Sequence, residues 1–374
     1  MLNSGRINAI TIVCLVTSDC NLRCKYCYTL ASHNRGMKIS AASVGRLIEN
    51  CSKGFDSIEF CWHGGEPLLA GKAFYESVIA AQQGINATTS GRSKFINCIQ
   101  SNCLLLNDEW IEFLTANDFR IGSSFEAPWA VHSDHRPLAS GEKCSLDAYC
   151  RVFRKIKQSA LPLGLLCVVT KDNVHKGKEI FELFKSLGVD TYSLLPMIEV
   201  PAPTRPPAPG NEELFELFKT TFELWMNEEN SFVCIEPIDT MLRSLLGQGP
   251  RLCSFASSCL KRMVSVAPDG TVLPCGSLSS LPLGNIFETP LICILHNDNA
   301  KHLRRSRSLS VAKFCGGCRY VSLCRGGCRE IAFWHSGEYS GRFQYCEARK
   351  QTFAYLEHRL HEILDGKDSV ASQN

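Results

Sequence analysis

The stretch Ser18-Asp-Cys20-Asn-Leu-Arg-Cys24-Lys-Tyr-Cys27-Tyr28 decides how this chain is read. Its spacing, C-x3-C-x2-C, supplies three thiolates, one fewer than the four that close a cubane cluster or a structural zinc site. In a [4Fe–4S] cluster held this way one iron stays open to chelate a further ligand. A zinc knuckle or a disulfide cluster would use the same residues, so the rest of the sequence has to separate the three.

The 374 residues suit one large domain plus a smaller one. A formal charge of +3 is nearly neutral for this size and gives no electrostatic case for a nucleic-acid partner. The most basic run, Lys301-His-Leu-Arg-Arg-Ser-Arg307, reads as a solvated helix face. Twenty-one cysteines would suit a secreted disulfide protein, but such proteins are usually small and begin with a signal peptide. The stretch Met1-Leu-Asn-Ser-Gly-Arg-Ile-Asn8 lacks a basic flank followed by an apolar region, and no apolar run reaches membrane-spanning length. A cytoplasmic chain with no membrane partner is expected. In a reducing compartment, clustered thiols point to metal and to iron–sulfur in particular.

Short β-branched or aromatic runs bounded by Gly, Asn or Asp predict strands at Ala9–Val16, Ser57–Trp62, Phe95–Gln100, Phe119–Phe125, Gly164–Thr170 and Val189–Leu195. Amphipathic segments predict helices between them, at Ala41–Cys51, Lys72–Gln83, Asp108–Ala116, Ser145–Gln158 and Lys176–Leu187. This alternation implies a parallel sheet with right-handed crossovers. Six strands are too few for a closed eight-stranded barrel, so an open, partial (β/α)6 barrel is expected. Ligands gather at the carboxyl ends of such strands, and the cysteine triad follows the first one directly. The proline-rich stretch Pro196–Gly210 reads as a stiff extended linker. Helices at Glu212–Asn227 and Asp239–Leu246 follow it, and then a loop-rich region dense in cysteine. The expected division is a barrel over 1–200, linker and bridging helices over 201–250, and a cysteine-rich domain with a C-terminal helix over 251–374.

His63-Gly-Gly-Glu-Pro67 follows the second strand. Two glycines let a backbone approach a ligand closely, and the carboxylate beside them can hold an ammonium group. Together with the triad this motif resembles the radical S-adenosylmethionine (SAM) enzymes. There the open iron takes the amino and carboxylate groups of SAM, and an electron from the cluster gives a 5′-deoxyadenosyl radical. The resemblance makes Cys20, Cys24 and Cys27 cluster ligands and assigns Tyr26, Gly64, Gly65 and Glu66 to SAM. The stretch from Ser124 to Arg136 resembles a Ser-x-Asp-Gly-Pro segment, ending in His and Arg, of SAM/SPASM enzymes related to anaerobic sulfatase maturases. Carried over, Ser124 and Arg136 contact SAM, while Glu126 replaces Asp and Ala127 replaces Gly. Gln100-Ser-Asn-Cys103 similarly resembles that group's Gln-Thr-Asn-Gly, with Cys103 in place of Gly.

The second dense set is C-x10-G-x4-C at Cys259, Gly270 and Cys275, then Cys315-x2-Cys318-x5-Cys324-x3-Cys328, then Cys346. Glycines 316, 317, 326 and 327 flank these thiols, as close approach of backbone to a cluster requires. Taken alone, four of these cysteines could form a zinc ribbon. With the upstream motifs, the spacing resembles the SPASM domain, which carries two auxiliary [4Fe–4S] clusters. By position in that family, Cys253, Cys259, Cys275 and Cys328 ligate the first, and Cys315, Cys318, Cys324 and Cys346 the second. The ten remaining cysteines read as small core residues.

The resemblance to anaerobic sulfatase-maturating enzymes covers nearly the whole chain. Those enzymes oxidise a Cys or Ser of a sulfatase to formylglycine, using as base an Asp directly after the cysteine that matches Cys275. Gly276 stands there in this chain and cannot act as a base. Glu126 is the candidate substitute. With that base missing, the expectation leans to radical crosslinking of a ribosomally made peptide, with formylglycine formation as the alternative and a non-catalytic iron–sulfur protein as the third reading. Peptide maturases often carry an N-terminal leader-binding domain, whereas this sequence reaches its first strand almost at once, so recognition is expected at the barrel mouth, the linker, the cysteine-rich surface or a separate protein. An external electron donor such as flavodoxin or ferredoxin is implied.

Overall fold

Alternating apolar positions set the first half of the chain. The computed structural model describes residues 7–27, 36–89, 91–199, 205–228, 234–256, 259–276 and 281–371. Strands and helices alternate as β1 (Ile7–Thr17), α1 (Ala41–Gly54), β2 (Phe55–Gly64), α2 (Lys72–Thr89), β3 (Lys94–Ser101), α3 (Asp108–Ala116), β4 (Phe119–Ser124), α4 (Trp129–His135), α5 (Leu146–Gln158), β5 (Leu163–Val169), α6 (Gly177–Ser186) and β6 (Thr191–Pro196). Period-two patterning shows in β2, where Ile58, Phe60 and Trp62 are fully buried while Glu59, Cys61 and His63 are half-buried. Helix α1 begins where the Ser40 hydroxyl accepts the Ser43 N–H at 3.1 Å. It buries Val44, Leu47, Ile48 and Cys51, spaced three and four apart. Each such side chain contributes about 1.5–3 kcal/mol through apolar burial.

The chain folds into two compact units that do not follow chain order. One holds Met1–Phe125, Trp129–Leu166 and Ser258–Arg305; the other holds Glu126–Pro128, Cys167–Ser257 and Ser306–Asn374. In the first unit β1, β2, β3 and β4 pair in parallel and in chain order, and Leu163–Leu166 of β5 run beside β4. On the other side of β1 the sheet gains β8 (Met263–Val266), parallel to β1, then β9 (Thr271–Leu273) and β10 (Gly284–Asn285), each antiparallel to its neighbour. Gly270 makes the turn from β8 to β9 at φ +87°, where an added Cβ would collide with the Phe287 ring.

In the second unit β6 pairs in parallel with β7 (Cys234–Glu236), a strand too short for the sequence pattern to reveal. Helices α7 (Asn211–Met226), α8 (Ile238–Leu245), α11 (Val321–Cys324), α12 (Arg329–Ser336) and α13 (Cys346–Ala371) lie in this unit. The small α9 (Leu291–Ile294) precedes α10 (Asp298–Phe314), whose first half belongs to the first unit. Tyr355 of α13 meets Phe215 and Phe222 of α7 edge-on, and Arg359 pairs with Glu223 at 2.8 Å.

Of the proline-rich stretch, residues 200–204 lie outside the described residues, and 205–210 carry no regular structure. The basic run lies on α10 with Lys301, His302 and Arg305 exposed as expected, but Arg307 differs. Arg307 is 5 % exposed and donates to the carbonyls of Arg325 at 2.7 Å and Gly327 at 2.8 Å, so it caps a turn rather than facing water. No described helix is long and apolar enough to cross a membrane.

Candidate active site

β1 delivers the chain at Thr17, and the cysteine loop begins at once. Two neighbours in the same unit hold it. The first is the Gly64-Gly65-Glu66 turn at the end of β2: Gly65 N–H donates to Thr17 O at 2.6 Å and Glu66 N–H to Asp19 O at 2.8 Å. Gly64 sits at φ +125°, and a Cβ on Gly65 would lie 2.6 Å from the Asp19 carbonyl carbon. The glycines are therefore required for backbone to lie on backbone at the root of the triad. The second neighbour is the segment around α4: Arg23 N–H donates to Pro137 O and Lys25 N–H to His135 O, both at 2.9 Å, and Ala139 N–H to Asn21 O at 2.8 Å. Lys25 and Asp134 pair at 2.7 Å.

Glu66 is fully buried, and its carboxylate accepts from Leu68 N–H at 3.0 Å, Ser101 Oγ at 2.8 Å and Asn102 N–H at 2.8 Å. Burial pushes its pKa up, against these donors and Arg136. The carboxylate thus ties the end of β3 to the turn after β2. Asn102 extends that tie to the triad, its side-chain amide donating to Asn21 Oδ1 at 2.7 Å. Burial raises the Cys20 thiol pKa, Leu22 N–H opposes this from 3.4 Å, and the charges of Glu66 and Cys27 raise it further while Arg136 lowers it.

Arg136, 5 % exposed, donates to Tyr26 Oη at 2.7 Å, so the structure brings together two residues that the sequence reading assigned to SAM. Ser124 ends β4 and accepts from Gln100 Nε2 at 3.4 Å. Glu126 is fully buried two residues beyond. Cys103 is buried, in a left-handed conformation at φ +65°, with its thiol pushed up to about 12 by burial. That backbone accounts for the glycine of the motif it resembles. Cys61 and Cys98 are register partners on β2 and β3, and Cys293 is exposed, unlike the core cysteines 14, 51, 144, 167 and 234.

In the second unit Cys315, Cys318, Cys324 and Cys346 line one cavity of about 620 Å³. Burial raises the Cys315 thiol pKa, and charge on Cys324, Cys346 and Cys318 raises it further. Four convergent thiols are a donor set suited to an iron–sulfur cluster. The turn Arg325-Gly326-Gly327 that leaves Cys324 is left-handed at all three residues, with φ of +54°, +79° and +72°. A Cβ on Gly326 would meet Val311 at 2.9 Å, and one on Gly327 would meet Phe343 Cδ1 at 2.7 Å. Arg329, fully buried, donates to Tyr339 O at 3.1 Å, Gly341 O at 3.0 Å and Gly326 O. The sequence reading missed Arg329 and took Arg307 for a solvated charge; for Arg329, its place just after the double glycine and Cys328 was the available signal. Of the remaining assigned cysteines, Cys253 opens a 3-10 turn and is exposed, Cys259 and Cys275 flank the β8–β9 hairpin, and Cys328 precedes α12.

A sheet whose first strand ends in a three-thiol loop, with a separate four-thiol cavity, defines a class. Residues 14–184 match the Radical SAM superfamily and residues 253–319 the SPASM iron-sulfur cluster-binding domain. The chain is a radical SAM enzyme with a SPASM domain, and the iron–sulfur and SAM cofactors expected from its motifs are those of these domains. Its relatives are more particular. It is 27% identical to a cysteine-type anaerobic sulfatase-maturating enzyme of Clostridium perfringens, over 93% of this chain and 96% of the relative. It is 25% identical to a serine-type anaerobic sulfatase-maturating enzyme of Bacteroides thetaiotaomicron, over 91% of this chain and 87% of the relative. It shares its fold with the structure of anSMEcpe with bound AdoMet and Cp18Cys peptide, at a TM-score of 0.82 and 23% identity, covering 96% of this chain and 99% of that one. These relatives favour the sulfatase-maturating reading over the crosslinking that the sequence led us to expect.

Proposed function

We propose that this chain oxidises a cysteine or serine side chain of a polypeptide to formylglycine, as the anaerobic sulfatase-maturating enzymes do. The likeness to such enzymes along more than nine-tenths of the chain carries the reading. Cys20, Cys24 and Cys27 hold a cluster with an open iron; Cys315, Cys318, Cys324 and Cys346 hold a second, and Cys253, Cys259, Cys275 and Cys328 a third. Bound at the triad, cluster and SAM supply the 5′-deoxyadenosyl radical, with the electron coming from a donor such as flavodoxin or ferredoxin. Tyr26, Gly64, Gly65, Ser124 and Arg136 orient SAM. Glu66, occupied by its three donors, acts by fixing the turn that presents the glycine backbone. Since Gly276 offers no base, Glu126 takes the substrate proton after hydrogen abstraction.

The test is the reconstituted protein with reductant, SAM and a cysteine-containing sulfatase peptide. The expected product carries an aldehyde in place of the cysteine side chain, captured by a hydrazide. Loss of two hydrogens without an aldehyde would instead establish a crosslink. In Glu126→Gln, SAM cleavage should continue while aldehyde formation stops; unchanged aldehyde yield removes Glu126 from the mechanism.

A further inference from the structure

The four-thiol cavity has a cation in its wall. Arg349, on α13 three residues after Cys346, directs Nη1 to Cys324 Sγ at 3.6 Å. The same Nη1 donates to Ser254 O at 3.2 Å, and Nη2 to Ser254 Oγ at 3.5 Å. Ser254 is the neighbour of Cys253. The guanidinium carbon lies over two rings, 3.8 Å from the Phe255 centroid and 4.4 Å from that of Phe343. Contact with two aromatic rings restricts where the guanidinium can sit. Phe343 is itself held against Gly327, since a Cβ there would strike it. All these residues belong to the second unit.

We propose that Arg349 is a positioning residue that raises the reduction potential of the auxiliary cluster held by Cys315, Cys318, Cys324 and Cys346, and joins its ligand Cys324 to the chain segment carrying Cys253. The inference rests on the cluster assignment above. A cluster with four thiolates gains negative charge on reduction. A fixed positive charge donating to one of its sulfurs favours the reduced form, and cluster potentials follow net charge and hydrogen bonds to sulfur. Lysine would keep the charge but lose the planar fork and the stack. An electron accepted by this cluster is therefore stabilised there, which suits the oxidation proposed for this enzyme.

The test is a potentiometric titration, followed by electron paramagnetic resonance, of the anaerobically reconstituted full chain. The relevant signal is identified as the one lost in Cys324→Ala. At a fixed poise, Arg349→Gln should lower its reduced-to-oxidised ratio about tenfold, equivalent to about 59 mV for a one-electron couple. Arg349→Lys should stay within about threefold of the parent. Arg349→His should show a ratio that falls as pH rises from about 5.5 to about 7.5, where the parent is flat. A purely structural role would change iron content or melting temperature and leave the potential of the retained cluster unmoved; that result overturns the proposal, as does an equal fall in the Gln and Lys variants. Should Arg349→Gln lose its iron, the His variant decides, and a pH-independent ratio there refutes the role. If Cys324→Ala removes no iron, it is the cluster assignment that fails, not the role of Arg349.

Discussion

Gly65→Ala tests the architecture of the cysteine loop with a single methyl group. The new carbon would lie 2.6 Å from the Asp19 carbonyl carbon, whereas carbon atoms rest at about 3.5 Å, so the two backbones must part by about 1 Å. That parting stretches both clasps, Gly65 N–H to Thr17 O and Glu66 N–H to Asp19 O, beyond hydrogen-bond range. Two lost bonds at about 1 kcal/mol each and overpacking of about 1–3 kcal/mol give a local cost of about 3–5 kcal/mol. Asp19 directly precedes Cys20, and ligand constellations tolerate displacements of only about 0.5 Å. The variant should therefore lose the triad's cluster and keep the other two, so that iron per chain falls by about a third and 5′-deoxyadenosine formation stops. Changing Cys20, Cys24 and Cys27 together to Ala should give the same iron loss. Gly45→Ala serves as control, because a Cβ there meets nothing within 4 Å in the middle of α1 and should stabilise by up to about 1 kcal/mol. Full iron and full SAM cleavage in Gly65→Ala would refute the reasoning.

Arg329→Met strands the carbonyls of Gly326 and Tyr339 in the interior, while that of Gly341 keeps the Ser310 hydroxyl; at about 1–3 kcal/mol per unsatisfied group, a thermal melt should show several kcal/mol of destabilisation together with iron loss from the SPASM half. Cys103→Gly relieves a left-handed backbone worth about 1–2 kcal/mol while deleting a small buried side chain, so its denaturant midpoint should stay close to the parent's, whereas Cys103→Val should fall well below both. Glu236, 6 % exposed, has its pKa raised above 4.5 by burial and by Asp239, against donors on Thr240 and the charge of Arg251. The folded state then binds its proton more tightly than the unfolded chain, so this residue's contribution is full below the ordinary value and is lost as pH rises through the raised one. Glu236→Gln should flatten that stretch of the stability–pH curve, and an unchanged slope would dismiss Glu236 as its source.

Features that depend on chain period and local spacing were legible in the sequence. Alternation over Ile58, Phe60 and Trp62 gave β2, and the three- and four-residue spacing of Val44, Leu47, Ile48 and Cys51 gave α1. The resemblance to the SPASM domain, by position, grouped Cys315, Cys318, Cys324 and Cys346, which line one cavity. What escaped the sequence was set by tertiary partners. Strand β8 is four residues long and pairs with β1, some 250 positions earlier. Glu66 reads as a ligand-facing carboxylate until Ser101 and Asn102 are seen donating to it. Arg307 reads as a surface charge because only folding brings the carbonyls of Arg325 and Gly327 to it.

The left-handed turn Arg325-Gly326-Gly327 bears on how electrons are routed. Cys324 and Cys328 stand at its two ends and are assigned to different clusters. A four-residue step spans at most about 14 Å when fully extended, and a backbone coiled through three successive left-handed residues is shorter than that. The covalent chain therefore sets an upper limit on the spacing of the two α-carbons that does not depend on how the rest of the protein packs, and each sulfur lies only a side-chain's reach beyond. If Cys324 and Cys328 hold different clusters as proposed, any rearrangement that admits a polypeptide substrate can shift helices and loops around this turn, yet it keeps the two ligands within that limit.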